Sequence, residues 1–346
     1  MPWKLDGVST DNNLFQGDVE TNRLKNVHYV RGGNPDGLPV VFLHDNLASS
    51  RWWEAAQEAL PYRYQSIAPD LRGFGLTEYK PVNSMQDFVD DIHDFLGLYK
   101  LPPFVLVGWG MGGGIAMLYG LQHPEHVRAM VLVNSISPKG HRPMDRSESI
   151  DELARALSKG NRNEVAAYLR HYFFRSGNFP VGDLSENANI GSGPLSDEAA
   201  FEYILAGTLQ ARNYNWSEQE GIFHAMRVFD IHTQVASLPF PVFTINGGND
   251  AFIRPEEARE VDRYLANEKY QRDGLTIPNC GHSPMVELPN EFMQALAGYL
   301  GRLNWQQVVH ASTTEAARNM AGRDITSGSR SFGAGDPSSI AYDKND

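Results

Sequence analysis

A single cysteine, Cys280, stands in 346 residues, so no internal disulfide can form and nothing requires an oxidising compartment. Basic residues are in deficit as well. Thirty Lys and Arg against 42 Asp and Glu leave a formal net charge of −12. Such a surface repels phosphate backbones and anionic lipid, which sets nucleic acid and membrane aside as expected partners. Long apolar runs are missing too; no stretch approaches the roughly 20 residues that span a bilayer. The opening residues Met1 to Gly7 lack the apolar core of a signal peptide. The expectation is a soluble, cytoplasmic chain. Hydrophobic content of 41% and charged content of 21% suit a globular protein with a sizeable core.

Short apolar runs recur along the chain and end abruptly in polar or glycine-rich loops. Pro39 to Leu43, Gln65 to Pro69, Phe104 to Val107, Ala129 to Val133, Pro241 to Ile245 and Leu275 to Ile277 read as buried strands. Helical periodicity lies between them. Ser84 and Asp87 form a capping-box start, followed at helical spacing by Met85, Phe88, Val89, Ile92, Phe95, Leu96 and Tyr99. Pro255 to Leu265 and Asn290 to Leu303 are further helices. Buried strands alternating with amphipathic helices predict a mostly parallel central sheet flanked by helices. From about Pro138 to Ala236 the strands stop. Helical segments Ile150 to Leu157, Val165 to Phe174 and Ala199 to Leu209 take over, with many aromatics (Tyr168, Tyr172, Phe173, Phe174, Phe201, Tyr203, Tyr214, Trp216). This predicts a helical cap over 138–236, inserted between core segments 1–137 and 237–305. The polar tail, 306–346, is expected to be flexible.

The chemistry-bearing segment is Gly108-Trp109-Gly110-Met111-Gly112-Gly113-Gly114, directly after a strand and opening a helix. With serine at Gly110 it would be G-x-S-x-G, a sharp strand-to-helix turn that exposes a nucleophile. Residues two positions away must lack side chains, and the helix amino terminus offers N–H groups to an oxyanion. Met111 supplies one such donor. Glycines at 108, 110 and 113 also satisfy G-x-G-x-x-G, so the motif alone leaves a dinucleotide loop open. Its position about a hundred residues into the chain argues against that. So do the neighbouring segments. His44-Asp45-Asn46 follows an early strand, where Asn46 would give a second oxyanion N–H. Asp70 and Arg72 follow the next strand as loop braces. Gly247-Gly248-Asn249-Asp250 places an acid, and Asn279-Cys280-Gly281-His282 a base, each at a later strand end. The order nucleophile, acid, histidine is that of a Ser-His-Asp hydrolase.

From about Val27 to Leu303 the sequence resembles the α/β-hydrolase superfamily. The box Gly-Trp-X-Met-Gly-Gly-Gly and the stretch Asn46 to Trp53 are similar to capped bacterial esterases, including Bacillus-type intracellular polyhydroxybutyrate depolymerases. The resemblance implies acyl transfer on a small-molecule ester or lactone, with 3-hydroxybutyrate oligomers as one substrate class. His282 oriented by Asp250 would be the base, Asn46 and Met111 the oxyanion donors, and Trp109 part of an acyl pocket. No metal-ligand cluster stands out, and the chemistry needs no cofactor.

Two departures qualify that expectation. Gly110 stands where the nucleophile belongs, and Asp45 replaces the glycine usual after His44. Losing a triad nucleophile lowers turnover by about a millionfold. Neither Ser283 nor Ser135 offers a substitute, and no neighbouring group is expected to. A carboxylate at 45 would oppose a developing oxyanion unless it pointed away. Three readings follow: an inactivated or substrate-trapping esterase that Gly110→Ser would revive, a non-catalytic small-ligand binder, or a His282–Asp250 enzyme working without a nucleophile.

Overall fold

The computed structural model describes residues 13–141, 155–157, 159–174, 198–210, 221–267, 269–270 and 272–303. Eight strands form one sheet: β1 (Phe15–Val19), β2 (Val27–Gly33), β3 (Leu38–Leu43), β4 (Tyr64–Pro69), β5 (Phe104–Trp109), β6 (Val127–Val133), β7 (Val242–Gly247) and β8 (Arg272–Ile277). Their spatial order is β1-β2-β4-β3-β5-β6-β7-β8. From β4 to β8 all pairings are parallel, whereas β2 runs against both β1 and β4. Every residue of β4 and β5 is buried, the pattern of parallel strands covered on both faces. Each large apolar side chain so buried contributes about 1.5–3 kcal/mol.

Nine helices are described: α1 (Glu54–Ala59), α2 (Met85–Gly97), α3 (Met111–Gln122), α4 (Arg162–Tyr172), α5 (Glu198–Leu209), α6 (Gly221–Val228), α7 (Pro255–Leu265), α8 (Pro284–Glu287) and α9 (Pro289–Arg302). The helices outside the stretch between β6 and β7 flank the sheet, α2 lying against α3 and α1 against α9. The start of α2 is the expected capping box, in which the Asp87 carboxylate accepts from the Ser84 backbone N–H at 3.2 Å. Its inner face buries Phe88, Val89, Ile92, Phe95 and Leu96. Asp91 lies buried on the same helix. It receives the Arg72 guanidinium through Nε and Nη2 at 2.5 and 2.7 Å, so Arg72 braces its loop as expected.

All six expected strands are present. Two more, β1 and β2, precede them. β1 is mostly exposed and β2 carries His28, Arg31, Gly32 and Gly33, so neither offers the apolar run that marks the other six. Helices α4, α5 and α6 lie in sequence between β6 and β7, within the span expected to form a cap. Of these, α5 is tied to the loop after β3 and to α1. Thr208 Oγ1 donates to the Leu47 carbonyl at 2.6 Å, Tyr203 Oη donates to both Glu54 carboxylate oxygens at 2.9 and 3.0 Å, and Arg51 lies over the Tyr203 ring. Most of the expected helix at Ile150 to Leu157, the aromatics Tyr214 and Trp216, and the 306–346 tail lie outside the described residues. Among the described residues no helix is long and apolar enough to cross a membrane.

Candidate active site

The parallel pairing of β3 with β5 sets Leu43 beside Gly108. Two residues beyond each, the chain reaches Asp45 on one loop and Gly110 on the other. Gly110 adopts φ 54° and ψ −117° immediately before α3. That positive φ disfavours any residue with a Cβ. The neighbouring glycines serve close approach: a Cβ on Gly108 would meet the Gly112 backbone, and one on Gly112 the Leu43 carbonyl. The turn therefore has the geometry read from the sequence, and the helix amino terminus lies where an oxyanion site is expected.

Asp45 fills the space that a side chain at Gly110 would take. A Cβ built on Gly110 would overlap all three atoms of the Asp45 carboxyl group, well inside the 3.0 Å that real Cβ atoms keep. The two departures thus complement each other. Asp45 points into the site rather than away from it. Its Oδ1 accepts the Met111 backbone N–H at 2.5 Å, and its Oδ2 lies 2.8 Å from His282 Nε2. The other imidazole nitrogen, Nδ1, lies 2.7 Å from Asp250 Oδ2. Asp250 is fixed in turn, its Oδ1 accepting the Phe252 and Ile253 N–H groups at 2.7 and 2.9 Å. Asp45, Asp250 and His282 are all buried.

An imidazole with a carboxylate at each nitrogen donates from both. Burial by itself pushes His282 down. The attraction and hydrogen bond of Asp250, joined by those of Asp45, outweigh it and raise the pKa to about 10. Two flanking carboxylates thus favour the doubly protonated ring. His44 holds the Asp45 backbone. Its Nε2 accepts the Leu71 N–H at 2.9 Å, which leaves Nδ1 as donor to the Asp45 carbonyl at 2.7 Å. Burial holds this ring neutral by lowering its pKa.

His282 is held by several elements. Its carbonyl accepts from Trp109 Nε1 and from Asn134 Nδ2, both at 2.8 Å. Asn134, at φ 39° after β6, also donates to the Gly281 carbonyl at 3.1 Å and accepts the Gly247 N–H at 2.7 Å. Glu287 of α8 receives the Gly281 and Ser283 N–H groups, both at 3.0 Å. Aromatic rings close around the imidazole: Phe252 at 4.9 Å, Phe173 at 5.2 Å and Trp109 at 5.4 Å between centroids. Trp109 is thus a buried support for His282. Ser283 and Ser135 are spoken for, their hydroxyls donating to Phe173 O and Ile136 O.

Of the six expected site residues, Gly110, Met111, Trp109, Asp250 and His282 converge. Asn46 follows Asp45 directly, with both side-chain amide atoms buried and without a hydrogen-bond partner among the described residues. Reading the sequence missed Asn134, whose positive φ and shared hydrogen bonds have no linear signature, and His141. The latter is buried after β6 with Nε2 unpartnered among the described residues. Burial brings its pKa down to about 4, and its ring lies 4.9 Å from that of Phe252. It missed one cluster elsewhere as well. His93 of α2 meets His123 and His126, just past α3, with potential ligand atoms all within 4.8 Å of one another.

Comparison with known proteins agrees with this architecture. Residues 39–289 match the family described as alpha/beta hydrolase fold. The chain is 27% identical over 293 residues to 2-hydroxy-6-oxo-6-(2'-aminophenyl)hexa-2,4-dienoic acid hydrolase of Metapseudomonas resinovorans, covering 83% of this chain and 89% of that one. It is 24% identical over 266 residues to the sn-1-specific diacylglycerol lipase of Mus musculus, covering 75% and 80%. Among solved structures, a thermophilic esterase from Thermogutta terrifontis superposes with a TM-score of 0.62 at 23% identity, covering 84% and 99%. The enol-lactonase of Burkholderia xenovorans gives 0.66 at 15%, covering 83% and 100%. Strand order, the turn at Gly110, the acid and histidine at successive strand ends, and a match across most of its length lead to one assignment: this chain belongs to the α/β-hydrolase family.

Proposed function

We propose that the protein hydrolyses small-molecule carboxylic esters or lactones at a centre in which Asp45 takes the place of the serine nucleophile. The observation that carries this reading is the Asp45 carboxylate. It occupies the volume of an absent side chain at Gly110 while bonded to His282 Nε2 and to the Met111 N–H. Those are the partners a serine oxygen and its oxyanion would engage in a Ser-His-Asp site. The relatives named hydrolase, lipase and esterase support the reaction class. The aromatic rings around His282 suit an apolar acyl or alkyl group, and the buried amide of Asn46 and Nε2 of His141 offer hydrogen bonds to its polar end. Helices α4 to α6 are assigned as a cap, and Asn46 as the second oxyanion donor.

The substrate-trapping reading loses ground on the same observation. A serine at Gly110 has no room while Asp45 stays in place, so an inactivated triad is a poor description of the site. The test is hydrolysis of short-chain p-nitrophenyl esters, extended to lactones and 3-hydroxybutyrate oligomers. Activity that Asp45→Asn lowers by at least a hundredfold in a folded protein is the expected result. Silence of the unaltered protein across the panel would defeat the proposal. One observation favours a second reading, a non-catalytic binder: the Asp45 and His282 side chains are both fully buried. That reading requires ligand affinity that survives His282→Ala, without turnover.

A further inference from the structure

Resting on the proposed hydrolysis, we infer that Asp45 is a covalent nucleophile, and that the oxyanion site serves Asp45 itself rather than the substrate carbonyl. The argument starts from which groups are occupied. The Met111 N–H, the oxyanion donor of the turn, is bonded to Asp45 Oδ1. An oxyanion that forms there is one that develops on Asp45 Cγ. Such an oxyanion arises only when water attacks Cγ, which requires Asp45 to have become esterified or acylated beforehand.

The protonation state fits that order. His282 with a carboxylate at each nitrogen holds two protons and cannot take one from water at the outset. The group poised to attack is Asp45 Oδ2. In the first step Oδ2 bonds to the substrate's acyl carbon and the bond from that carbon to the alkoxy oxygen breaks. The alkoxy group leaves as the alcohol, taking the Nε2 proton of His282. Asp45 is now an anhydride and carries no charge, so the pull that kept Nε2 protonated is gone. His282, still paired with Asp250, has become a base.

In the second step His282 removes a proton from water, and the water oxygen bonds to Asp45 Cγ. The oxyanion at Oδ1 stays on the Met111 N–H. The bond from Cγ to Oδ2 then breaks, and the acid departs carrying that former Asp45 oxygen. One proton is released as the Asp45 carboxylate is restored beside protonated His282. Ester and water are consumed, while alcohol, carboxylate and one proton are formed. Asp250 keeps its two backbone donors throughout and orients the imidazole in both steps.

The geometry also assigns His44 as a positioning residue. Its Nδ1–H grips the Asp45 carbonyl while its Nε2 is tied to Leu71, so the nucleophile's backbone is anchored through its own carbonyl.

The test is hydrolysis of p-nitrophenyl acetate, or the best ester of the panel above, in water enriched in oxygen-18, followed by mass spectrometry of the Asp45 peptide. With enzyme in excess, the inferred route places label on Asp45, a gain of about two mass units per turnover, and leaves the first acid released unlabelled. Label in the acid with Asp45 unlabelled would overturn the covalent role while leaving the hydrolase reading standing. Absence of hydrolysis would instead defeat that reading. His44→Asn, checked for folding, is expected to lower kcat more than it raises KM and to slow labelling in proportion. An equal loss through KM alone would overturn its positioning role.

Discussion

Restoring serine at Gly110 tests the central geometry without knowledge of the substrate. The side chain would enter space held by the Asp45 carboxyl group, on backbone at φ 54°. If Asp45 stays, overpacking costs about 1–3 kcal/mol and the left-handed backbone adds about 1–2 kcal/mol. If Asp45 swings out, two hydrogen bonds to charged groups are lost, each worth about 1.5–3 kcal/mol. The cheaper route sets the cost, so Gly110→Ser is destabilised by roughly 2–5 kcal/mol, a midpoint drop on the order of 3–7 °C for a protein of this size. Removing the obstacle with Asp45→Gly should recover part of that loss. The two changes should be non-additive by about 2 kcal/mol, as expected of residues competing for one volume. Urea unfolding of the four proteins, with Gly110→Ala in place of the serine as a control lacking the hydroxyl, gives the coupling. Additivity within about 0.5 kcal/mol would refute the idea that Asp45 occupies the nucleophile's space.

Other outcomes follow from the same contacts. Replacing Asp45 by Asn removes one of the two charges that hold His282 up, so its titration should fall from about 10; imidazole NMR signals followed against pH check this, and an unmoved titration argues against the contact. Because the folded pKa of His282 lies above its unfolded value, its contribution to stability is full below about 6.5 and is lost as pH rises toward 10; Asp45→Asn should flatten that slope between pH 7 and 10. Glu54, raised to about 7 chiefly by burial against the smaller opposing bond from Tyr203, likewise favours the folded state most at acid pH. Glu54→Gln should therefore gain stability relative to the unaltered protein at pH 8 but not at pH 4, and equal midpoints at both would contradict the buried carboxyl. Removing Arg72 leaves the buried Asp91 carboxylate with the part-exposed Arg23, at 3.0 Å, as its remaining cation, and Arg72→Ala should cost about 1.5–3 kcal/mol in urea unfolding; a loss below about 0.5 kcal/mol would show the pair to be solvated.

Much of this architecture was legible before any coordinates. Buried parallel strands advertise themselves as apolar runs, the Ser84–Asp87 box marks the start of α2, and the order of Gly110, Asp250 and His282 along the chain names residues that the fold brings together. β1 and β2 stayed hidden because antiparallel strands near a sheet edge need no continuous apolar segment. Asn134 stayed hidden because its role is to bridge strand ends distant in sequence. The role of Asp45 was lost for a subtler reason. Glycine where serine belongs and aspartate where glycine belongs look like two separate defects in a linear reading. Only the register of β3 on β5 shows that one side chain has vacated a volume and the other has entered it.

The mounting of His282 carries a consequence of its own. Its carbonyl is gripped by Trp109 and Asn134, its flanking amides by Glu287, and its imidazole by Asp250, which is itself set by two amides. None of these supports belongs to the loop that carries Asp45. The His282 side of the site is thus a fixed socket, and in the proposed chemistry the oxygen is a plug delivered from the strand end that carries Asp45. The proposed chemistry then requires paired substitution on only two neighbouring loops, with the mounting of His282 unchanged.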